Sequence, residues 1–158
     1  MNARSGAEAL VYLEARYLDL GDWDAWLALY TADCEYWVPT APDQTDPKRQ
    51  VSLYYEDRIL METRIRRLRH PSAHSLVDPI RTSRVIGGVK VEEGETLGDE
   101  ITATSSFLML EQHGERQRMF GGLLTHRLAR EGDGLRIRAK RVDLTNCDAT
   151  HEVIEIFI

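Results

Sequence analysis

Cysteine is scarce in this chain: two residues, Cys34 and Cys147, in a sequence of 158. They lie far apart, with no CxxC or related spacing, so neither a disulfide framework nor a cysteine-based metal knot is expected; both read as buried free thiols. No apolar run approaches the length of a membrane span, and the first six residues lack the apolar core of a signal peptide, which points to a cytoplasmic protein with no membrane partner. Basic charge is in deficit. With 20 Lys and Arg against 26 Asp and Glu, the net charge is −6. A sequence pI near 5.4 argues against a nucleic-acid partner, which favours a basic face. No GxSxG or HExxH occurs, and Gly87-Gly88 and Gly121-Gly122 sit in strand-like stretches outside any phosphate-binding context, where they mark bends or close backbone approach.

What is present is an ordinary globular composition, 42% hydrophobic and 29% charged, without repeats or linkers, which fits a single domain over 1–158. The front is helical. Ala7, Leu10, Val11, Ala15 and Leu18 recur at helical spacing, and Gly21 can end that helix. Asp22 suits an N-cap for a second helix carrying Trp23, Trp26, Leu27 and Tyr30 on one face, an aromatic stripe expected to lie in the core. Residues 34–38 are strand-like and stopped by Pro39, and the proline-rich stretch 40–49 predicts an outward-reaching arm. A third helix over 56–69 is expected to place Leu60, Met61, Ile65 and Leu68 on one face and Arg58, Arg64, Arg66, Arg67 and Arg69 on the other, ending at His70-Pro71.

Residues 81–92, 100–112, 116–130 and 135–144 read as long strands separated by short turns, an antiparallel meander. In the last of them Leu135, Ile137 and Ala139 alternate with Arg136, Arg138 and Lys140, after which the apolar phase moves to Val142 and Leu144. A one-residue slip of this kind predicts a β-bulge. Helices followed by a bent antiparallel sheet give an α+β fold with helices on the concave face, the cone of the nuclear-transport-factor-2/ketosteroid-isomerase type.

The residues raise two kinds of chemistry. His70, His74 and Asp78 could form a two-His-one-carboxylate iron site, but Pro71 denies the two histidines a helical register, and a polar interface loop is the plainer reading. A cone also encloses a pocket in which a carboxylate or histidine can move a proton beside a carbonyl, with Tyr30, Asp33, His74 and His126 as candidates. Asp33 also suits a turn, and His126 a satisfied strand position.

Several stretches together resemble the small β subunit of aromatic-ring-hydroxylating dioxygenases, in particular the benzoate/anthranilate-like branch. They are Glu14-Ala15-Arg16-Tyr17-Leu18-Asp19, the run from Asp22 to Tyr30, Asp33-Cys34-Glu35-Tyr36-Trp37-Val38-Pro39, Ser52-Leu53-Tyr54-Tyr55-Glu56-Asp57-Arg58, Arg81-Thr82-Ser83-Arg84 and Phe157-Ile158. The resemblance implies a non-catalytic structural subunit with no catalytic, cofactor-binding or metal residues of its own. Its partners would be α chains and other β chains in an α3β3 assembly with a β trimer as base. The Rieske [2Fe–2S] cluster and mononuclear Fe(II) would lie in the α subunit, fed by NADH through a reductase, and the product would be a cis-dihydrodiol or a catechol. Contacts are expected from the edges of the front-end aromatics, the 40–49 arm and the 81–84 strand start. The rival readings are a stand-alone isomerase or dehydratase using Asp33 or a histidine, and a small-molecule-binding adaptor.

Overall fold

In the computed structural model, which describes residues 2–70, 78–94 and 100–158, the chain opens with α1 (Ala3–Leu20). Asn2 caps it, its Oδ1 accepting from the Ser5 amide at 2.8 Å, and Gly21 closes it in the left-handed region at φ 66°. Helix α2 (Trp23–Leu27) follows, capped by Asp22, whose side chain accepts from the Ala25 amide. It stops three residues short of the expected stripe. The Leu29 carbonyl accepts from the Ile137 amide at 2.8 Å, which draws the chain into the sheet, and Tyr30 begins strand β1 (Tyr30–Pro39).

Strand β2 (Ser52–Asp57) and helix α3 (Arg58–Arg69) come next, then β3 (Arg81–Glu93), β4 (Ile101–His113), β5 (Arg116–Glu131) and β6 (Gly134–Leu144). The six-stranded sheet runs β2-β1-β6-β5-β4-β3. It is mixed and not purely antiparallel: β1 lies parallel to β6. A parallel neighbour requires a long crossover, supplied here by everything between the two strands, and short turn signals cannot reveal such a pairing.

The expected bulge lies in the last strand, slightly earlier than the apolar pattern suggests. Arg127 pairs with Ala139 and Leu128 with Ile137, leaving Arg138 as the extra residue. Its effect is to turn Lys140 inward with Val142 and Leu144. Both glycine pairs behave as anticipated. The register of β3 shifts between Gly87 and Lys90, and a Cβ on Gly122 would lie 2.0 Å from the Asp143 carbonyl oxygen.

The buried face of α1 packs on β3 and carries Ala7, Leu10, Val11, Glu14, Ala15 and Leu18. Opposite it stand the inward side chains of β4 (Ile101, Ala103, Phe107, Met109), β5 (Phe120, Leu124, Leu128) and β6 (Ile137, Val142, Leu144). Two expectations about exposure fail. Arg64 of α3 is buried because its guanidinium lies 3.9 Å from the centroid of Tyr54 and pairs with Glu56, whereas Leu60 is half-exposed. The 40–49 segment is no arm: Arg141 donates to the Gln44 and Pro42 carbonyls and holds it against β6, while the buried Gln44 bonds Thr40, Ala41 and Val51.

Candidate functional site in the cone interior

The centre of the cone is polar. Glu14 occupies a position on α1 that its helical neighbours Leu10, Val11 and Leu18 keep apolar, and it is 1% exposed. Its Oε1 accepts from Tyr30 Oη at 2.6 Å, Lys140 Nζ at 2.9 Å and Trp26 Nε1 at 3.1 Å. The remaining oxygen, Oε2, meets His126 Nε2 at 2.8 Å. Burial pushes the Glu14 carboxyl up, but the Lys140 ammonium and His126 more than offset it and hold the group well below the usual carboxylate range. Burial, then the Glu14 charge, raise Tyr30 well above an ordinary phenol. Burial lowers Lys140, with Glu14 opposing the shift.

The volume in front of this cluster is filled by residues 154–158. Their side chains Ile154, Ile156, Phe157 and Ile158 are buried, and Phe157 is 0% exposed. The Phe157 ring sits 4.3 Å from Trp26, 5.5 Å from Tyr36 and 6.1 Å from Trp23, centroid to centroid. Side chains of the cone wall take up the segment's backbone groups. Tyr54 donates to the Ile154 carbonyl, Arg64 to Ile156, Arg84 to Phe157 and Lys140 to Ile158, while the Ile158 amide donates to Tyr36 Oη at 3.0 Å.

A carboxylate, an imidazole, a phenol and an ammonium around one point could in principle shuttle a proton. Here they are bonded to one another, Lys140 donates to Ile158 as well, and each is at most 3% exposed. Neither of two surface recesses touches them. One, about 490 Å³, lies outside the sheet between Pro42, Leu123, Asp143 and Cys147. The other, about 160 Å³, lies between Asp19, Trp23, Thr82, Arg84 and Ile156.

The structure thus gathers Tyr30 and His126 and leaves Asp33 out. Asp33 is exposed, accepts from Thr31 Oγ1 at 2.8 Å and faces Arg138 at 3.4 Å. That Thr31 hydrogen bond lowers its pKa, the opposite of what a base working near neutrality needs. His74 lies outside the described residues. His70 caps α3, and Asp78 is exposed beside Gly114. Among the described residues no three His, Cys, Asp or Glu side chains converge to hold a metal ion. Cys34 and Cys147 are free and buried, with Cys34 Sγ 3.8 Å from Met61 Sδ. The residues that sequence reasoning missed are Glu14 and Lys140. Glu14 falls on the apolar stripe of α1, and Lys140 shares the phase of Val142 and Leu144; each was a signal.

The family model described as "Ring hydroxylating beta subunit" matches residues 13–150. The chain belongs to this family. It is a β-type subunit of a ring-hydroxylating oxidoreductase. Among curated relatives, the 2-halobenzoate 1,2-dioxygenase small subunit of Burkholderia cepacia is 31% identical, over 94% of this chain and 92% of the relative. The solved β subunit of benzoate 1,2-dioxygenase from Burkholderia mallei is 30% identical with a TM-score of 0.73, covering 89% of each chain. Two more distant structures share the fold alone. A naphthalene 1,2-dioxygenase chain superposes with a TM-score of 0.82 at 18% identity, over 98% of this chain and 85% of that one. A Novosphingobium aromaticivorans structure named for scytalone dehydratase does so at 0.66 and 12%, over 89% and 83%. The cone of the nuclear-transport-factor-2 type is therefore common to this β subunit and to folds of other function.

Proposed function

We propose that this chain is a non-catalytic structural subunit of the terminal oxygenase of an aromatic-ring-hydroxylating dioxygenase, acting in aromatic catabolism as one domain over residues 1–158. The reading rests on the β-subunit match across residues 13–150. The sealed interior supports it: the acid–base groups that a cone-fold isomerase would present to substrate are bonded to one another beneath Phe157 and Ile158. Chemistry on the ring falls to an α partner, which would hold the Rieske [2Fe–2S] cluster and the mononuclear Fe(II) and draw electrons from NADH through a reductase. An α3β3 assembly on a β trimer, in the cytoplasm and without nucleic acid or membrane, completes the proposal. The named substrates of its relatives make a benzoate-like ring the first to test.

Co-expression with an encoded neighbour carrying paired Cys-x-His and Cys-x-x-His motifs tests this. A stable complex should form, turn over the aromatic acid when NADH and a reductase are supplied, and keep all iron and sulfide in the larger chain. Stoichiometric iron in this chain alone, or turnover by it alone, would overturn the reading.

A further inference from the structure

The outer face of the sheet is apolar where it is most open. Val85 of β3, Leu108 of β4, and Met119 and Leu123 of β5 are between 44% and 68% exposed. They are neighbours by register: Leu108 stands between Val85 and Gly121, and Met119 lies beside Leu110. Gly121 keeps the surface low, since a Cβ there would come within 2.7 Å of Leu108 Cδ2. Leu123 carries the patch into the recess of about 490 Å³, whose charged lining residues, Asp143 and Asp148, are both acidic. Arg141 matches Asp143, which leaves the recess the charge of Asp148.

Helix α3 presents the complement. Ile59 and Leu60 are 69% and 50% exposed, and the exposed Arg66 and Arg67 follow two turns later on the same face. The other arginines of the helix are matched: Arg58 by Glu62, Arg64 by Glu56 and Arg69 by Asp24. Among the described residues no carboxylate pairs with Arg66 or Arg67. Exposed aliphatic groups beside unmatched arginines suit a protein contact. We propose that the sheet patch and its recess receive the exposed face of α3 from a second copy of this chain, Ile59 and Leu60 on Leu108 and Met119, Arg67 at Asp148. Seven helical residues rise about 10 Å, and β4 to β6 is two strand spacings, also about 10 Å. A helix laid across the strands therefore brings its apolar and basic ends to matching ground together. The two surfaces differ, so the contact runs head to tail and closes into a ring, whereas patch against patch would stop at two chains. The ring is the β trimer of the assembly proposed above, and the contact rests on that reading.

Sedimentation of the full-length chain tests the contact. The unaltered chain should run at the mass of three chains. Leu108→Asp/Met119→Asp alters the sheet face and Ile59→Asp/Arg67→Glu the helix face; each variant should run as a monomer with an unchanged circular-dichroism spectrum. Mixed, the two should form a dimer and nothing larger, because one intact sheet face and one intact helix face remain between them. Arg67→Glu alone should weaken association about tenfold, and Asp148→Arg in the same chain should restore it. Both of those positions are exposed, so this pair decides the matter even where an apolar-to-acid variant fails to fold. A monomeric unaltered chain, a helix variant that still associates, a mixture that stays monomeric or builds trimers, or no rescue by Asp148→Arg would overturn the proposal. So would variants that keep the trimer and lose only the larger, iron-bearing chain, which would assign the patch to that partner. The broader reading is judged apart: an unaltered chain that joins the larger chain upholds it, whatever these variants do.

Discussion

Glu14 shows how one residue can be costly alone and stable in company. A carboxylate at 1% exposure is tolerable because Lys140, His126, Tyr30 and Trp26 each give it a hydrogen bond. Lys140→Met should therefore cost about 3–5 kcal/mol in urea denaturation, since it strands a buried charge. The double variant Glu14→Leu/Lys140→Met should recover much of that loss; simple additivity of the two single changes would refute the coupling. A pH dependence follows from the same group. Its folded pKa lies below the unfolded value of 4.5, so the unfolded chain binds more protons below that pH. The contribution of Glu14 is complete above about 4.5 and is lost as the pH falls toward the folded value. Glu14→Gln should flatten the stability profile on the acid side. An unchanged acid slope would locate the titration elsewhere.

Among the elements, β6 is the decisive one. Arg138 is the extra residue of its bulge, and by shifting the alternation it sends Lys140, and not Ala139, into the cone. The apolar pattern announces the slip and puts Lys140 in phase with Val142 and Leu144, yet the inward turn of a lysine is decided only by the partner that neutralises it, here Glu14. The neighbouring strand depends on a missing side chain. Gly122→Ala would drive a Cβ to 2.0 Å from the Asp143 carbonyl oxygen, where only backbone movement gives relief. A loss of about 3 kcal/mol is expected by thermal or urea unfolding. Gly87→Ala, whose Cβ would meet nothing within 4 Å, serves as the control. Equal costs for the two would show that β5 and β6 can separate without penalty.

Across the whole molecule, the last residues act as core. The Ile158 amide belongs to a buried residue and donates to Tyr36 Oη, so its hydrogen exchange should be as slow as in β5; fraying-rate exchange would contradict this packing. Sequence periodicity, caps and turns fixed the helices, the four long strands, the bulge and the cone class, because those depend on contacts within a short stretch of chain. The runs from Glu14 to Pro39 also carried the family likeness that the match over 13–150 bears out. Long-range geometry decided the rest. Only the folded chain sets β1 parallel to β6, ties Pro42 and Gln44 to Arg141 and brings Glu14 to Lys140 across 126 residues. The inward or outward sense of a charged side chain depends on the partner that neutralises it, and local pattern cannot name a partner so distant in sequence.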